Sequence, residues 1–312
     1  MKKLVSLLLA LALPLGLTAC GATSVPVAST EAAAQEITES TEETEKADET
    51  EAVKETEETT AQDEGKIISL EEKKNEKMGA LPKWDPSSPA MQSLVEFVSA
   101  SVDEDSDGFI PVKDRIAVFD MDGTLTCETY FTYYDTCMFI SYCLEDHPER
   151  VSEELKEAAR EIKPGYTAGE ELARNFAKAY AGMTVEELYD YAVEFGQKKT
   201  ESFNNMRYID GFYLPMVEVV KYLYDNDYTI YVVSGTERTT TRAIVNNSPI
   251  SEYVAPSHVI GTEFEVKVKG NEDVSSNMDF KYADGDELVL TGGFIQKNLN
   301  ANKTIWIERE IG

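Results

Sequence analysis

An apolar run that ends in two carboxylates places the strongest constraint on the fold of this chain. Residues 115–119 read Arg-Ile-Ala-Val-Phe, and residues 120–125 continue Asp-Met-Asp-Gly-Thr-Leu. A nearly continuous apolar run is typical of a strand that is buried on both faces of a parallel sheet. A tight turn at Gly123 would let Asp120 and Asp122 face one pocket. The sequence therefore predicts a buried strand with acidic side chains at its carboxyl end.

Further elements along the chain predict an α/β fold. A second apolar run at 228–233 stops at Ser-Gly-Thr, just before a polar segment that can begin a helix. A weaker strand is expected at 257–261, and a β-hairpin within 262–296. Helical spacing of apolar residues predicts helices at 91–102, 172–180 and 185–195. Alternating strands and helices favour a mostly parallel sheet, with ligands bound beyond the carboxyl ends of the strands.

The motifs at these strand ends resemble a known family. Asp-x-Asp-Gly-Thr-Leu after an apolar strand resembles the first motif of the haloacid dehalogenase (HAD) superfamily, and 234–236 resembles the second. The resemblance implies a Rossmann-like core with a helical C1 cap inserted between the two motifs, as in the phosphoserine-phosphatase-like branch. Bacterial lipoproteins related to phosphorylcholine phosphatases belong to that branch. The implied activity is magnesium-dependent hydrolysis of a small phosphomonoester, phosphoserine-like or phosphorylcholine-like, through an aspartyl-phosphate.

The resemblance also implies roles for particular residues. Asp120 would be the nucleophile and a Mg²⁺ ligand, and Asp122 the general acid/base, with its backbone carbonyl also reaching the metal. Lys303 is the first candidate for the lysine of the third motif, and Lys297 the second. Glu128 is equally consistent with a substrate contact and with a solvated carboxylate at a helix start. The residues expected around phosphate and substrate are Thr124, Glu128, Ser234, Gly235 and Lys303.

Other side chains offer weaker signals for ligand binding. Aromatic faces could hold a quaternary ammonium by cation–π attraction, although an aromatic stripe more often packs a core. The aromatic residues concerned are Tyr130, Phe131, Tyr133 and Tyr134. Arg207 and Arg238 could bind a carboxylate or phosphate, although surface arginines are common.

The fourth motif of the family, a Gly-Asp pair with a further Asp, is missing from this sequence, which ends after a predicted helix at 303–311. In the superfamily the corresponding strand lies beside the strand that carries Asp120, so we expect an uncovered edge there. The C-terminal core strands are thus expected to be missing. The sequence is either an incomplete copy of a longer phosphatase or a natural truncation with damaged metal binding. In both cases this chain is expected to be weakly active.

The N-terminus has the pattern of an export signal, with Lys2 and Lys3 before an apolar run at 4–17. The run ends in Leu-Thr-Ala-Cys-Gly, which resembles the lipobox of bacterial lipoproteins, with Cys20 as the lipidated residue. A cleavable secretion signal with a chance cysteine is the weaker alternative. A lipidated Cys20 would hold the protein on a membrane, preferably the outer face of a bacterial cytoplasmic membrane.

Residues 22–77 are dominated by Glu, Thr and Ala, so they cannot bury a core and should stay disordered. This segment carries much of the net charge of −29. That negative balance argues against nucleic acid as a partner. The expected organisation is a signal peptide at 1–19, an acidic tether at 20–79, a core formed by 80–127 and 208–312, and a helical cap at 128–207.

Two possible ion or redox features are weaker. Residues 103–110 match the first eight positions of a calcium-binding EF-hand loop, with Asp114 at the twelfth. A strand follows instead of a helix, and Asp replaces the bidentate Glu, which favours a plain acidic turn. The remaining cysteines allow one disulfide or three thiols, and their spacing resembles no zinc site. They are Cys127, Cys137 and Cys143.

Two other functions compete with phosphomonoester hydrolysis. One is a non-catalytic surface lipoprotein that captures a phosphorylated ligand in the same pocket. The other is phosphotransfer to an alcohol on the same fold. The cap residues choose the substrate, and their arrangement cannot be derived from fold-level reasoning.

Overall fold

The structure is a computed structural model that describes residues 81–128, 131–165, 169–271 and 282–312. The predicted signal peptide, Cys20 and the acidic tether lie outside these residues, as does Tyr130. Within the described ranges, no helix combines the length and the apolar character that crossing a membrane requires.

Four strands form one sheet with the order β1-β2-β3-β4. They are β1 (Ile116–Phe119), β2 (Thr229–Glu237), β3 (Val259–Val268) and β4 (Leu288–Gln296). β2 pairs in parallel with both β1 and β3, whereas β3 and β4 form an antiparallel pair. The predicted α/β fold with a mostly parallel sheet is therefore confirmed, and so is the hairpin in its second half.

The pairing of β1 with β2 aligns their carboxyl ends. Phe119 lies opposite Val232, so Asp120 emerges beside the second half of β2. β2 does not stop at residue 233 as predicted but continues through Glu237, with an irregular register against β3 after Val233. The Ser-Gly-Thr motif therefore lies within the end of a strand and not in a turn.

Eight helices surround the sheet in the described ranges. In chain order they are α1 (Pro89–Val102), α2 (Tyr134–Ser141), α3 (Glu153–Glu161), α4 (Glu170–Ala179), α5 (Val185–Gly196), α6 (Leu214–Tyr224), α7 (Arg238–Asn246) and α8 (Ala301–Glu310). Short single turns occur at Val112–Asp114, Tyr142–Asp146, Pro148–Arg150, Tyr208–Asp210 and Pro256–His258. The helices predicted at 91–102, 172–180, 185–195 and 303–311 are all present.

Helices α2 to α5 lie between the two motifs and pack on the rest of the fold at two places. α4 contacts β4, and α5 contacts α7. Backbone hydrogen bonds also connect β4 to the segment that follows α4. Gly182 N–H donates to the Leu290 carbonyl at 2.8 Å, and Leu290 N–H donates to the Met183 carbonyl at 2.8 Å. The hairpin therefore supports the helical insertion as well as extending the sheet.

β1 is one of the two edge strands of the sheet. In the part of the chain that the structure describes, no strand pairs with its free side. Ile116 on this strand keeps 39% of its surface exposed. The prediction that this strand is buried on both faces is therefore wrong, because Phe119 is the one buried residue of β1 and the other side chains are only partly covered at the edge of the sheet.

The acidic loop before β1 is closed by its own turns. Asp105 N–H donates to the Asp103 carboxylate at 3.1 Å, and Gly108 N–H donates to the Ser106 hydroxyl at 3.1 Å. The short helical turn at Val112–Asp114 and then β1 follow this loop. This order agrees with the interpretation of 103–110 as a plain acidic turn. Cys127, Cys137 and Cys143, the three cysteines expected in the fold, form no disulfide with one another.

Gly261 lets the start of α7 approach β3 closely. A Cβ atom at this position would lie 2.5 Å from the Cα of Arg238 and 2.8 Å from the carbonyl oxygen of Thr236. Both obstacles are backbone atoms, which cannot rotate away as a side chain can. The absence of a side chain at Gly261 therefore fixes where α7 begins.

We expect Gly261→Ala to destabilise the fold by about 1–3 kcal/mol, because the added methyl group overpacks against backbone. Urea or thermal unfolding of the variant would measure the change. Gly169→Ala is the control, since a Cβ there meets no atom within 4 Å. Equal stabilities for the two variants would contradict the close approach of α7 to β3.

Candidate active site

Asp120 and Lys303 meet at the carboxyl end of β1. The ammonium Nζ of Lys303 lies 2.7 Å from Oδ1 of Asp120. Met121 N–H donates to the same oxygen at 2.9 Å. The Asp120 side chain is 46% exposed, so a ligand in solvent can reach its carboxylate. Of the two candidate lysines, the structure therefore brings Lys303 to the predicted nucleophile.

Asp122 lies deeper than Asp120 and contacts the second motif. The hydroxyl of Thr236 donates to Oδ2 of Asp122 at 3.0 Å. The chain turns tightly after Asp122, with Gly123 at φ +73°. Gly123 N–H donates to the Thr126 carbonyl at 2.8 Å. The predicted turn at Gly123 thus brings both carboxylates to one end of the sheet.

Burial changes the acidity of Asp122. Desolvation raises its pKa to about 7, and the nearby Asp135 carboxylate adds to the rise. The hydrogen bond from Thr236 and the charge of Lys297 oppose this rise. A carboxyl group with a pKa near 7 exchanges protons readily at neutral pH, which suits general acid/base chemistry.

Asp135 and Lys297 form a second charged layer behind Asp122. Both are buried, with exposed fractions of 4% and 7%. Burial raises the pKa of Asp135, whereas the positive charge of Lys297 lowers it. Lys297 therefore offsets negative charge behind Asp122, while Lys303 does so at Asp120.

The second motif, residues 234–236, is fixed by hydrogen bonds of its backbone and hydroxyl groups. Ser234 is fully buried, and its hydroxyl accepts the N–H of Thr236 at 3.1 Å. The carbonyl of Gly235 accepts the hydroxyl of Thr262 at 2.6 Å. The following helix α7 begins at Arg238, and the Glu237 carboxylate accepts the N–H groups of its first turn. A carboxylate of the chain itself therefore occupies the start of the helix that follows the second motif.

Glu128 lies directly over the turn of the first motif. Its Oε2 would be 2.8 Å from a Cβ atom built on Gly123, so the carboxylate lies close to this turn. Thr124 is part of the same turn, with its N–H donating to the Met121 carbonyl at 3.2 Å. Both predicted substrate-contacting residues therefore lie beside the Asp120 to Asp122 segment.

The weaker candidates have partners within the chain. Arg207 binds the Asp210 carboxylate, and Arg238 binds the carboxylate of Glu310. Tyr134 is buried, with its hydroxyl donating to the Ala192 carbonyl at 2.7 Å and its ring edge-on to Phe195. Tyr134 therefore packs the helical insertion, whereas Phe131 and Tyr133 are only partly buried.

Sequence reasoning missed Asp135 and the specific contact of Thr236 with Asp122. Asp135 is buried within α2 among apolar neighbours such as Cys137, Met138 and Phe139. An acidic residue in such a helix was the available signal, because a buried carboxylate is costly without a partner. Its partners come from distant parts of the chain, so the pairing could not be derived from local spacing.

The donors for a cation are oxygen atoms of the first motif. The described residues hold no group of three or more His, Cys, Asp or Glu side chains that could bind a metal ion. Mg²⁺ prefers oxygen ligands and is usually held by one or two carboxylates together with water. The exposed Asp120 carboxylate and the adjacent backbone carbonyl of Asp122 fit this donor chemistry.

We expect Asp135→Asn to lower the pKa of Asp122 from about 7, since it removes a neighbouring negative charge. Desolvation remains, so the pKa should stay above the ordinary aspartate value. A carboxyl ¹³C NMR titration of metal-free protein would measure the change. An unchanged Asp122 titration would show that the two carboxylates do not interact.

A comparison with protein families matches the part of the chain that carries Asp120 and Asp122. The sequence profile of the haloacid dehalogenase-like hydrolases matches residues 117–296. No curated protein shows a significant match. A solved structure of a conserved protein of unknown function from Anaerococcus prevotii is 12% identical in sequence, with a TM-score of 0.40. The match covers 70% of this chain and 75% of the Anaerococcus chain.

A second solved structure comes from Clostridium difficile and is described as a presumptive phosphatase. It is 19% identical, with a TM-score of 0.25, and the match covers 47% of this chain and 60% of that one. The profile match spans more than half of this chain, from β1 to β4, and includes the Asp120 to Thr124 turn and the Ser-Gly-Thr segment. The chain therefore belongs to the haloacid dehalogenase-like hydrolases.

Proposed function

We propose that this protein is a magnesium-dependent phosphomonoester hydrolase that acts outside the cytoplasm through an aspartyl-phosphate. The observation that carries the proposal is the half-exposed Asp120 carboxylate with the Lys303 ammonium 2.7 Å away and Asp122 beside it. Phosphoryl transfer needs an in-line nucleophile, a proton donor for the leaving oxygen and positive charge near the phosphate. These residues supply all three.

Asp120 attacks phosphorus in the first step. An oxygen of its carboxylate forms the new bond to phosphorus while the bond to the leaving alcohol oxygen breaks. Asp122, in its protonated form, gives its proton to that oxygen. In the second step Asp122 takes a proton from the water that attacks the aspartyl-phosphate, which releases phosphate and restores the Asp120 carboxylate.

Lys303 acts on the charge that accompanies this transfer. A dianionic phosphate repels the Asp120 carboxylate, and the ammonium group offsets this repulsion in the ground state and the transition state. Ser234, Gly235 and Thr124 are proposed to border the phosphate. Because Ser234 is buried and already bonded within its motif, its contribution is to hold the backbone around the pocket.

Mg²⁺ is the proposed cofactor, held by the Asp120 carboxylate and the Asp122 backbone carbonyl. When bound, it would supply further positive charge for the phosphate oxygens. The Asp120 carboxylate would serve both as the nucleophile and as a ligand of the cation. Lys303 on Oδ1 restricts how the carboxylate can rotate.

The proposed substrate is a small phosphomonoester of the phosphoserine or phosphorylcholine type. Helices α2 to α5 have the place in the sequence of the C1 cap, between the two motifs. Glu128 lies over the first motif, where its carboxylate can contact a cationic group of such a substrate. Lipid attachment at Cys20 would hold the enzyme on the outer face of a bacterial membrane.

The first test is phosphate release by the full chain in mild detergent, with p-nitrophenyl phosphate and phosphorylcholine, with and without Mg²⁺. We expect Asp120→Asn to lower the rate by at least about a thousand-fold, because the amide is a poor nucleophile. The matched control is Asp225→Asn, which changes an equally exposed aspartate that pairs with Lys221 at 2.5 Å. The control variant should keep the activity of the unchanged chain.

The same assay separates the competing functions. Tight binding of a phosphorylated ligand by folded protein, without phosphate release and without a need for Mg²⁺, would support a binding lipoprotein. Release that requires an added alcohol acceptor would indicate a phosphotransferase. Equal activity of Asp120→Asn and Asp225→Asn would refute the proposed nucleophile.

The proposed anchor has its own test. We expect Cys20→Ser to move the protein from the membrane fraction to the soluble fraction of expressing bacteria, because the serine hydroxyl does not accept the lipid. Cell fractionation with labelled palmitate would follow both location and modification. Cys127→Ser is the control and should stay in the membrane fraction. Membrane retention of the Cys20→Ser variant would contradict lipid anchoring at this cysteine.

A further inference from the structure

The helix that carries Lys303 has little apolar contact with the rest of the protein. Trp306 is the one buried residue of α8. It packs in a small cluster with Val233 of β2 and Ile260 of β3. Ile307 and Ile311 are partly buried against the same cluster. These apolar contacts resist separation of the helix from the sheet, but they define its rotation less sharply than a pair of directional hydrogen bonds would.

A second anchor lies at the far end of the same helix. Arg238, the first residue of α7, donates from both terminal nitrogens to the two oxygens of Glu310, at 3.0 and 2.5 Å. Its guanidinium carbon also lies 5.2 Å from the centre of the Trp306 ring. Such a bidentate arginine–carboxylate pair fixes the orientation of the two groups as well as the distance between them. Arg238 therefore restrains both the end of α8 and its aromatic anchor.

Arg238 is itself held in place. Its Nε lies against a carboxylate oxygen of Glu263 on β3, and its side chain is only 14% exposed. Its backbone packs on Gly261, where no side chain intervenes. Arg238 thus connects α8 to the sheet through a rigid part of the core.

The spacing along α8 links this anchor to the active site. Trp306 and Glu310 follow Lys303 by three and seven positions. Residues at this spacing lie on one face of a helix, within about two turns or 10 Å. The same face therefore contacts Asp120 at one end and Arg238 at the other. Rotation of α8 would withdraw both contacts together.

Charge gives Arg238 a further role in this arrangement. The carboxylates of Glu237, Glu263 and Glu310 all lie close to it. Burial raises the pKa of Glu263, the charge of Arg238 opposes this rise, and the negative charges of Glu237 and Glu310 add to it. Without the guanidinium, repulsion among these groups would push Glu310 and the end of α8 outward.

We propose that Arg238 is a positioning residue that, through Glu310 and Trp306, sets the rotation of α8 and so places the Lys303 ammonium on Asp120. The effect on turnover rests on the proposed phosphatase function, whereas the docking of α8 does not. Arg238 itself does not need to touch the substrate.

The test uses Arg238→Gln and Glu310→Gln in the full chain, each alone and combined with Lys303→Ala. Glu310→Gln leaves Arg238 on Glu263, so it keeps the proposal testable if Arg238→Gln fails to fold. Arg207→Gln is the matched control, since that arginine pairs with Asp210 outside α8. Steady-state kcat and KM and amide hydrogen exchange of 301–310 are measured for every variant.

We expect each single variant to lower kcat by about ten-fold or more and to speed exchange in α8. In the Lys303→Ala background, the same substitutions should cause no further loss of kcat. The control should match the unchanged chain in both measurements. Unchanged exchange in α8, or losses that multiply with Lys303→Ala, would overturn the proposal. If the unchanged chain releases no phosphate, the proposed function fails, and hydrogen exchange alone still decides whether Arg238 docks α8.

Discussion

Parallel pairing of β1 with β2 is the constraint on which the active site depends. In a parallel pair the carboxyl ends of both strands lie at the same edge, so the residues after β1 meet those at the end of β2. Asp122 consequently reaches Thr236, although 114 positions separate them. The segments that lead into and out of the helical insertion lie side by side, because Cys127 N–H donates to the Gly211 carbonyl at 2.7 Å and Tyr213 N–H donates to the Leu125 carbonyl at 2.9 Å.

Carboxylates and lysine side chains lie close together at this edge of the sheet, so their opposite charges partly cancel. Asp120 is exposed and paired with Lys303, whereas Asp122 and Asp135 are enclosed with Lys297 near them. Buried carboxylates without a cation would be strongly destabilising, and a cation without carboxylates would be as well. Burial raises the pKa of Asp122 to about 7, which suits the proposed role of this residue as proton donor.

Helix α8 shows how the position of the Lys303 ammonium group depends on remote contacts. Lys303 lies at one end of a mostly exposed helix, and its position depends on Trp306 in the middle and Glu310 at the other end. Glycine at 261 and the arginine at 238 are part of the same arrangement, because both determine where α7 meets β3. The hairpin of β3 and β4 supports the helical insertion in a comparable way, through backbone hydrogen bonds.

The sequence by itself determined the features that local chemistry dictates. Apolar runs predicted the parallel strands, helical spacing predicted α1, α4, α5 and α8, and Asp-x-Asp-Gly-Thr-Leu located both carboxylates and the glycine turn. It also ranked Lys303 above Lys297, which agrees with the contact to Asp120. Only the tertiary structure decided that β2 continues through its Ser-Gly-Thr motif, that Glu237 closes the start of α7, and that Asp135 lies behind Asp122. These features depend on burial and on charges from distant segments, and such long-range contacts leave no periodic pattern in the chain.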